Sequence, residues 1–221
     1  MAKIIPGILT NSEEEYHERL LKAEHVSDLI QIDVVDGKFS ANTTIQTDVI
    51  KKYLSSAQLE IQLMVVFPQN YIDDLAPLEY VSRIIFPFEI HGDVRDDIYL
   101  IKRFGKQAGI SLNPETPVKA AIHFFDDIDI LLLMTGKPGY SGQKLGEDTY
   151  DRIKEVKKIV PDLPIEIDIG VNFENAAKLA HAGADFLVAS SALYGAPDFR
   201  VAYEKLAKLA EVNEKKMVAG K

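Results

Sequence analysis

The chain has 221 residues, 47% of them apolar and 27% charged, which suits one globular domain with a core of ordinary size. Its net charge of −9 argues against nucleic acid as a partner, because phosphate backbones recruit faces rich in Lys and Arg. Cysteine is absent, which removes disulfides and thiolate metal sites, and no apolar run approaches the ~20 residues of a membrane span, so a cytoplasmic protein without signal peptide or membrane contact is expected.

Short β-rich runs then alternate with longer amphipathic stretches. Residues 3–9 read as a strand, and Asn11 or Ser12 caps the helix behind it, with Glu13, Glu14 and Glu15 at the positive end of its dipole. Residues 28–35 form a second strand that stops at the turn pair Asp36-Gly37, and 45–54 the next helix. Strand 59–66 ends before Pro68 and precedes a short helix over 71–78. Strand 81–88 is followed by a helix over 93–107, then by a short strand over 109–112. Asn113-Pro114 turns the chain into a helix over 117–124. Strand 128–135 leads to helix 147–160, which carries an apolar stripe of Ile153, Val156 and Val160. Strand 164–168, helix 173–182 stopped by Gly183, strand 184–189 and helix 198–212 complete the pattern.

Eight β-then-α units result. Continuous apolar strands suit a parallel sheet covered on both faces, and strand–helix alternation suits βαβ units. An open doubly wound sheet is the rival. Eight units in a chain near the lower bound of roughly 200 residues favour closure into a (β/α)8 barrel. The barrel is expected over 1–212 and a C-terminal tail over 213–221.

In such a barrel the site lies at the C-terminal ends of the strands. Polar residues there are Thr10, Gln31, Asp33, Asp36, Gln62, Glu89, His91, Glu166, Asp168, Ser190 and Ser191. Gln31 and Asp33 share a face by the two-residue repeat, and Asp36 falls in the turn. Asp33 and Asp168 form a pair that can remove and return a proton on opposite faces of a carbon beside a carbonyl. Close approach raises one pKa, since two like charges resist joint ionisation. A single Asp at a strand end is more often a cap or turn residue; two at matching ends favour chemistry. Gly139, Ser141 and Gly142 after the sixth strand, with Gly170, Ser190 and Ser191 after the seventh and eighth, suit a phosphate, because glycine lets backbone approach an anion. His17, His25, His123 and His181 belong to helices, and His91 alone makes no metal site. Lys137 reads as a solvated loop charge or a ligand contact.

The motifs Ile5-Pro6-Gly7-Ile8-Leu9, Asp33-Val34-Val35-Asp36-Gly37, Leu63-Met64-Val65, Leu133-Met134-Thr135, Pro138-Gly139-Tyr140-Ser141-Gly142-Gln143, Asp168-Ile169-Gly170-Val171-Asn172 and Ala182-Gly183-Ala184-Asp185 resemble the ribulose-phosphate 3-epimerase family. The match runs in order from residue 4 to about residue 200. The resemblance implies a (β/α)8 barrel, commonly a homo-oligomer, acting on a ketopentose 5-phosphate. It implies that Asp33 and Asp168 invert C3 through an enediolate, with Met64 and Met134 around it and phosphate near Gly139, Tyr140, Ser141, Gly142, Gly170, Ser190 and Ser191. It also implies a divalent metal (Zn, Mn, Fe or Mg) on two Asp and two His. The Asp positions are Asp33 and Asp168, whereas the His positions are Gln31 and Gln62. Gly7 replaces a substrate-contacting Ser, Ile169-Gly170 a Gly-Gly, and Pro87-Phe88-Glu89 a His-Val-Glu.

Imidazole suits zinc and iron, and Gln is a poor substitute. Two Asp and two Gln could hold Mg²⁺ or Mn²⁺ weakly, or the site has no metal and the Gln amides donate to the enediolate oxygens. Three functions compete: an epimerase of this family, another phosphosugar barrel enzyme (isomerase, aldolase or decarboxylase), and a catalytically dead phosphosugar-binding relative. The retained Asp pair favours the first.

Overall fold

A computed structural model describes residues 1–211 of the chain. Eight strands, β1 (Lys3–Ile8), β2 (Leu29–Val35), β3 (Gln58–Met64), β4 (Val81–Pro87), β5 (Gln107–Leu112), β6 (Ile130–Met134), β7 (Ile165–Asp168) and β8 (Phe186–Ala189), pair in sequence order. Every pairing is parallel, and β1 closes on β8 through Lys3 opposite Phe186 to Pro6 opposite Ala189. The expected closed (β/α)8 barrel is therefore the observed architecture. Among the described residues no helix is long and apolar enough to cross a membrane.

The helices are α1 (Glu13–Glu24), α2 (Thr47–Lys52), α3 (Gln69–Leu75), α4 (Val94–Arg103), α5 (Thr149–Ile159), α6 (Ala176–Ala182), α7 (Ser191–Tyr194) and α8 (Phe199–Ala210). Their ends follow local chemistry. Ser12 caps α1 by accepting from the Glu15 N–H at 3.2 Å, Asp93 caps α4 and Asp198 caps α8. Gly183 ends α6 in the left-handed region.

Three expectations need correction. The helix after β4 stops at Arg103, because Phe104 and the left-handed Gly105 turn the chain, so Gln107 and Ala108 belong to β5. The segment after β5 is a 3-10 helix over Val118–Phe124. Between β8 and the last helix lies α7, which the sequence pattern did not show. The expected end of the last helix at Val212 and the tail over 213–221 lie outside the described residues.

Two apolar layers result. The larger lies between sheet and helices, with Tyr16, Leu20, Ile50, Ile72, Leu75, Ile153, Val156 and Leu206 packed on the outward side chains of the strands. The smaller lies inside the barrel, where Val35, Met64, Ile85, Ile130, Leu132, Met134 and Ile169 pack together. That small interior cluster leaves room for polar side chains inside the barrel. Gln31, Glu60, Gln62 and Glu166 are 0% exposed, and Arg83 and Asp33 are close to it.

Candidate active site

One cavity opens at the C-terminal strand ends. Asp33, two residues before the end of β2, and Asp168, the final residue of β7, stand in its wall. Gly7, Met64, Gly139, Tyr140, Ser141, Gly142, Gly170, Ser190 and Ser191 also line it. The carboxyl pair and the glycine- and serine-bearing loops therefore meet at one space. Gln31, Gln62 and Met134 lie beside or beneath the pair and do not line the cavity. His91 and Lys137 also lie outside the lining: the His91 ring meets Phe67 edge-on, and the Lys137 ammonium lies 5.0 Å from the centre of the Tyr140 ring.

The floor of the cavity is a closed set of polar contacts. Gln31 Nε2 lies 2.9 Å from Asp33 Oδ1 and 2.7 Å from the inward atom of the Gln62 amide. That inward atom lies 2.9 Å from Asp33 Oδ1 and 3.1 Å from Asp168 Oδ2. Which amide atom points inward is an assignment from hydrogen bonding. With the Gln62 oxygen inward, it accepts from Gln31 but faces two carboxylate oxygens. With the nitrogen inward it donates to both carboxyls, and Gln31 must then turn its own oxygen inward, against Asp33 Oδ1. Either arrangement leaves an acceptor facing an acceptor unless a carboxyl carries a proton, and such a buried contact is costly.

Burial and hydrogen bonding act differently on the two carboxyls. Burial, and next the Asp168 charge, push the Asp33 carboxyl well above the usual carboxylate range. Burial also raises Asp168, to about 6, but the Ile169 N–H donating to its Oδ1 at 2.7 Å and the amide contacts oppose the rise. Asp33 is thus the more strongly raised of the two carboxyls, and hydrogen bonds hold Asp168 lower. Burial outweighs like-charge repulsion in both, whereas the sequence pointed to repulsion alone.

Beneath the amides lies a layer of which the sequence reading named only Glu166. Arg83 pairs with Glu60 and lies 3.6 Å from Glu166 Oε2, with its guanidinium 4.7 Å from the centre of the Phe186 ring. The available signal was parity: Glu60 and Glu166 lie two residues before Gln62 and Asp168, on the same inward face. Gln143 was also missed as a brace. Its amide accepts from the Lys137 N–H at 3.0 Å and donates to the carbonyls of Lys137 and Tyr140 at 2.8 and 2.7 Å, which ties the loop after β6 into a closed turn. Ser40 and Asn42 fasten the same loop through the Pro138 and Gly139 carbonyls, both at 2.7 Å. Gly7 has a local cause: a Cβ there would lie 2.7 Å from Val188 Cγ1, so a serine does not fit beside this valine.

The metal implied by the resemblance does not fit these residues. Imidazole nitrogens are replaced by amides, and in either amide orientation one N–H group points at the carboxyls, where a cation would need a lone pair. Among the described residues no group of three or more His, Cys, Asp or Glu side chains is placed to hold a metal ion.

The model of the ribulose-phosphate 3 epimerase family matches residues 3–194. The ribulose-phosphate 3-epimerase of Bacillus subtilis is 37% identical over 214 residues, covering 93% of this chain and 98% of that protein. That of Escherichia coli K12 is 32% identical over 219 residues, covering 95% and 97%. Among solved structures, orotidine 5'-phosphate decarboxylase from Pyrococcus horikoshii OT3 aligns with a TM-score of 0.66 at 14% identity, covering 95% of this chain and 100% of that one. 3-Hexulose-6-phosphate synthase from Salmonella typhimurium aligns at 0.66 and 16%, covering 94% and 98%. At such identities these structures speak to the fold alone.

Proposed function

The chain belongs to the ribulose-phosphate 3-epimerase family, and from that premise we propose that it inverts C3 of a ketopentose 5-phosphate with Asp168 and Asp33 as base and acid. The observation that carries this reading is the pair of buried carboxyls at the floor of a cavity ringed by glycine and serine loops. Phosphate is bound among Gly139, Tyr140, Ser141, Gly142, Gly170, Ser190 and Ser191, which directs the sugar chain toward the carboxyls.

The C2 carbonyl acidifies the C3 hydrogen. Asp168 takes that proton from one face of C3 as the C–H electrons move into the carbonyl and give an enediolate. Asp33 delivers its own proton to the opposite face as the carbonyl re-forms. The pair ends with its proton exchanged between the two residues, and the reverse reaction uses them in opposite roles. Each carboxyl supplies a general acid–base effect of about 10²–10⁴ in rate.

NMR of ribulose 5-phosphate in D₂O tests the reading: deuterium enters C3 with the natural chain, and Asp33→Asn and Asp168→Asn each suppress it. Absence of C3 exchange in the natural chain would overturn it. The family resemblance further supports a cytoplasmic homo-oligomer, and sedimentation analysis of the purified protein tests the assembly.

A further inference from the structure

Within that epimerase reading, the Gln31 and Gln62 amides raise a separate question: what holds two carboxyls together where relatives by resemblance place a dication. A single amide atom of Gln62 touches both Asp33 at 2.9 Å and Asp168 at 3.1 Å. Gln31 braces the same atom at 2.7 Å and reaches Asp33 at 2.9 Å. Both glutamines are 0% exposed, held in β2 and β3 by the pairing of Asp33 with Gln62 in register. A dication would require both carboxyls ionised and lone pairs turned toward it. In either amide orientation one glutamine instead turns an N–H group, a donor without charge, on the carboxyls.

We propose that the Gln31–Gln62 amide pair holds the two carboxyls in place of a divalent cation, and that this centre works without a metal. The glutamines are positioning residues: they touch the carboxyls and not the cavity. Neutral donors leave one proton in the centre for the two-carboxyl exchange, whereas a dication would compete for the same oxygens.

The test uses the full chain, purified and then treated with EDTA, with three readouts. Metal content by mass spectrometry is expected to be well below one ion per chain. Titration with Mn²⁺, followed by its electron paramagnetic resonance, is expected to show no tight site in the natural chain and a new one in the Gln31→His/Gln62→His double variant. C3 exchange is expected to be unchanged by EDTA or by added Zn²⁺, Mn²⁺ or Mg²⁺. Gln62→Leu should lower kcat by about 10²-fold with little change in KM, since the phosphate loops remain; thermal melting checks its fold. A natural chain that carries stoichiometric metal, or loses exchange on stripping and regains it with one ion, overturns this inference and leaves the epimerase reading intact. A natural chain with no exchange under any condition overturns both. Should the double variant not fold, the metal content and exchange of the natural chain decide alone.

Discussion

Asp168 owes its charge to a contest between burial and hydrogen bonding, and the contest sets a pH dependence. Its carboxyl is raised to about 6, so the base is ionised above that pH and lost as pH falls through it. Asp33, pushed further up by burial and by Asp168, must hold its proton, so activity is also lost at higher pH when that proton leaves. A plot of kcat/KM against pH should therefore be bell-shaped, with its acid limb near 6. Asp168→Asn should remove the acid limb together with about 10²–10⁴ of the rate. At this scale the sequence exposed Asp33 and Asp168, because an acidic residue ending an apolar strand stands out. It did not expose Glu60 and Arg83, because an isolated charge inside a strand reads as an exposed alternate position until closure of the barrel turns that face inward.

The end of β7 shows what one element stores. Ile169 has φ of +76°, a conformation that a β-branched residue rarely adopts and that costs about 1–2 kcal/mol. Thr135 holds it there by donating to the Asp168 and Ile169 carbonyls at 3.1 and 2.7 Å, and its side chain packs with Val35, Met64 and Met134. The resembled family has Gly-Gly here, so the strain comes with the side chain. Removing the side chain loses its burial in either variant, but only glycine also relieves the backbone. Ile169→Gly should therefore be more stable than Ile169→Ala by about 1 kcal/mol, the reverse of the usual order, as read from urea unfolding midpoints. A helix stores a second such cost. Asp97 of α4 is buried against Gln69, whose amide donates to it at 2.5 Å, and burial raises its carboxyl to about 6. A folded pKa above the unfolded one favours folding at low pH, and that contribution is lost as pH rises through about 6. Asp97→Asn should accordingly raise the melting temperature at pH 8 and change it little at pH 4. The α1 cap and the Gly183 stop were legible in sequence, whereas α7 was not: four residues carry too little periodicity to register.

Across the whole molecule, barrel closure was legible because eight β-then-α units in 221 residues leave few other arrangements. What fills the barrel was not. Apolar layers are the common solution, yet here one guanidinium lies between two carboxyls, with Arg83 paired to Glu60 and 3.6 Å from Glu166. Burial, and next Glu60, push Glu166 well above the carboxylate range, and burial raises Glu60 against the pull of Arg83. The layer supports the amides from below, so its charge balance bears on both stability and the site. Replacing Arg83 with Met keeps most of the volume and strands two acids in the interior. Breaking a buried pair from one side costs about 3–5 kcal/mol. Part of that cost is relieved when the acids take up protons, which the raised values favour as pH falls. Arg83→Met should thus be much less stable than the natural chain at pH 8 and closer to it at pH 5, as measured by denaturant unfolding at both. Glu60→Gln added to Arg83→Met removes one stranded charge and should recover part of the loss at pH 8. Equal losses at the two pH values would instead assign the role of Arg83 to its packing on Phe186 and not to its charge.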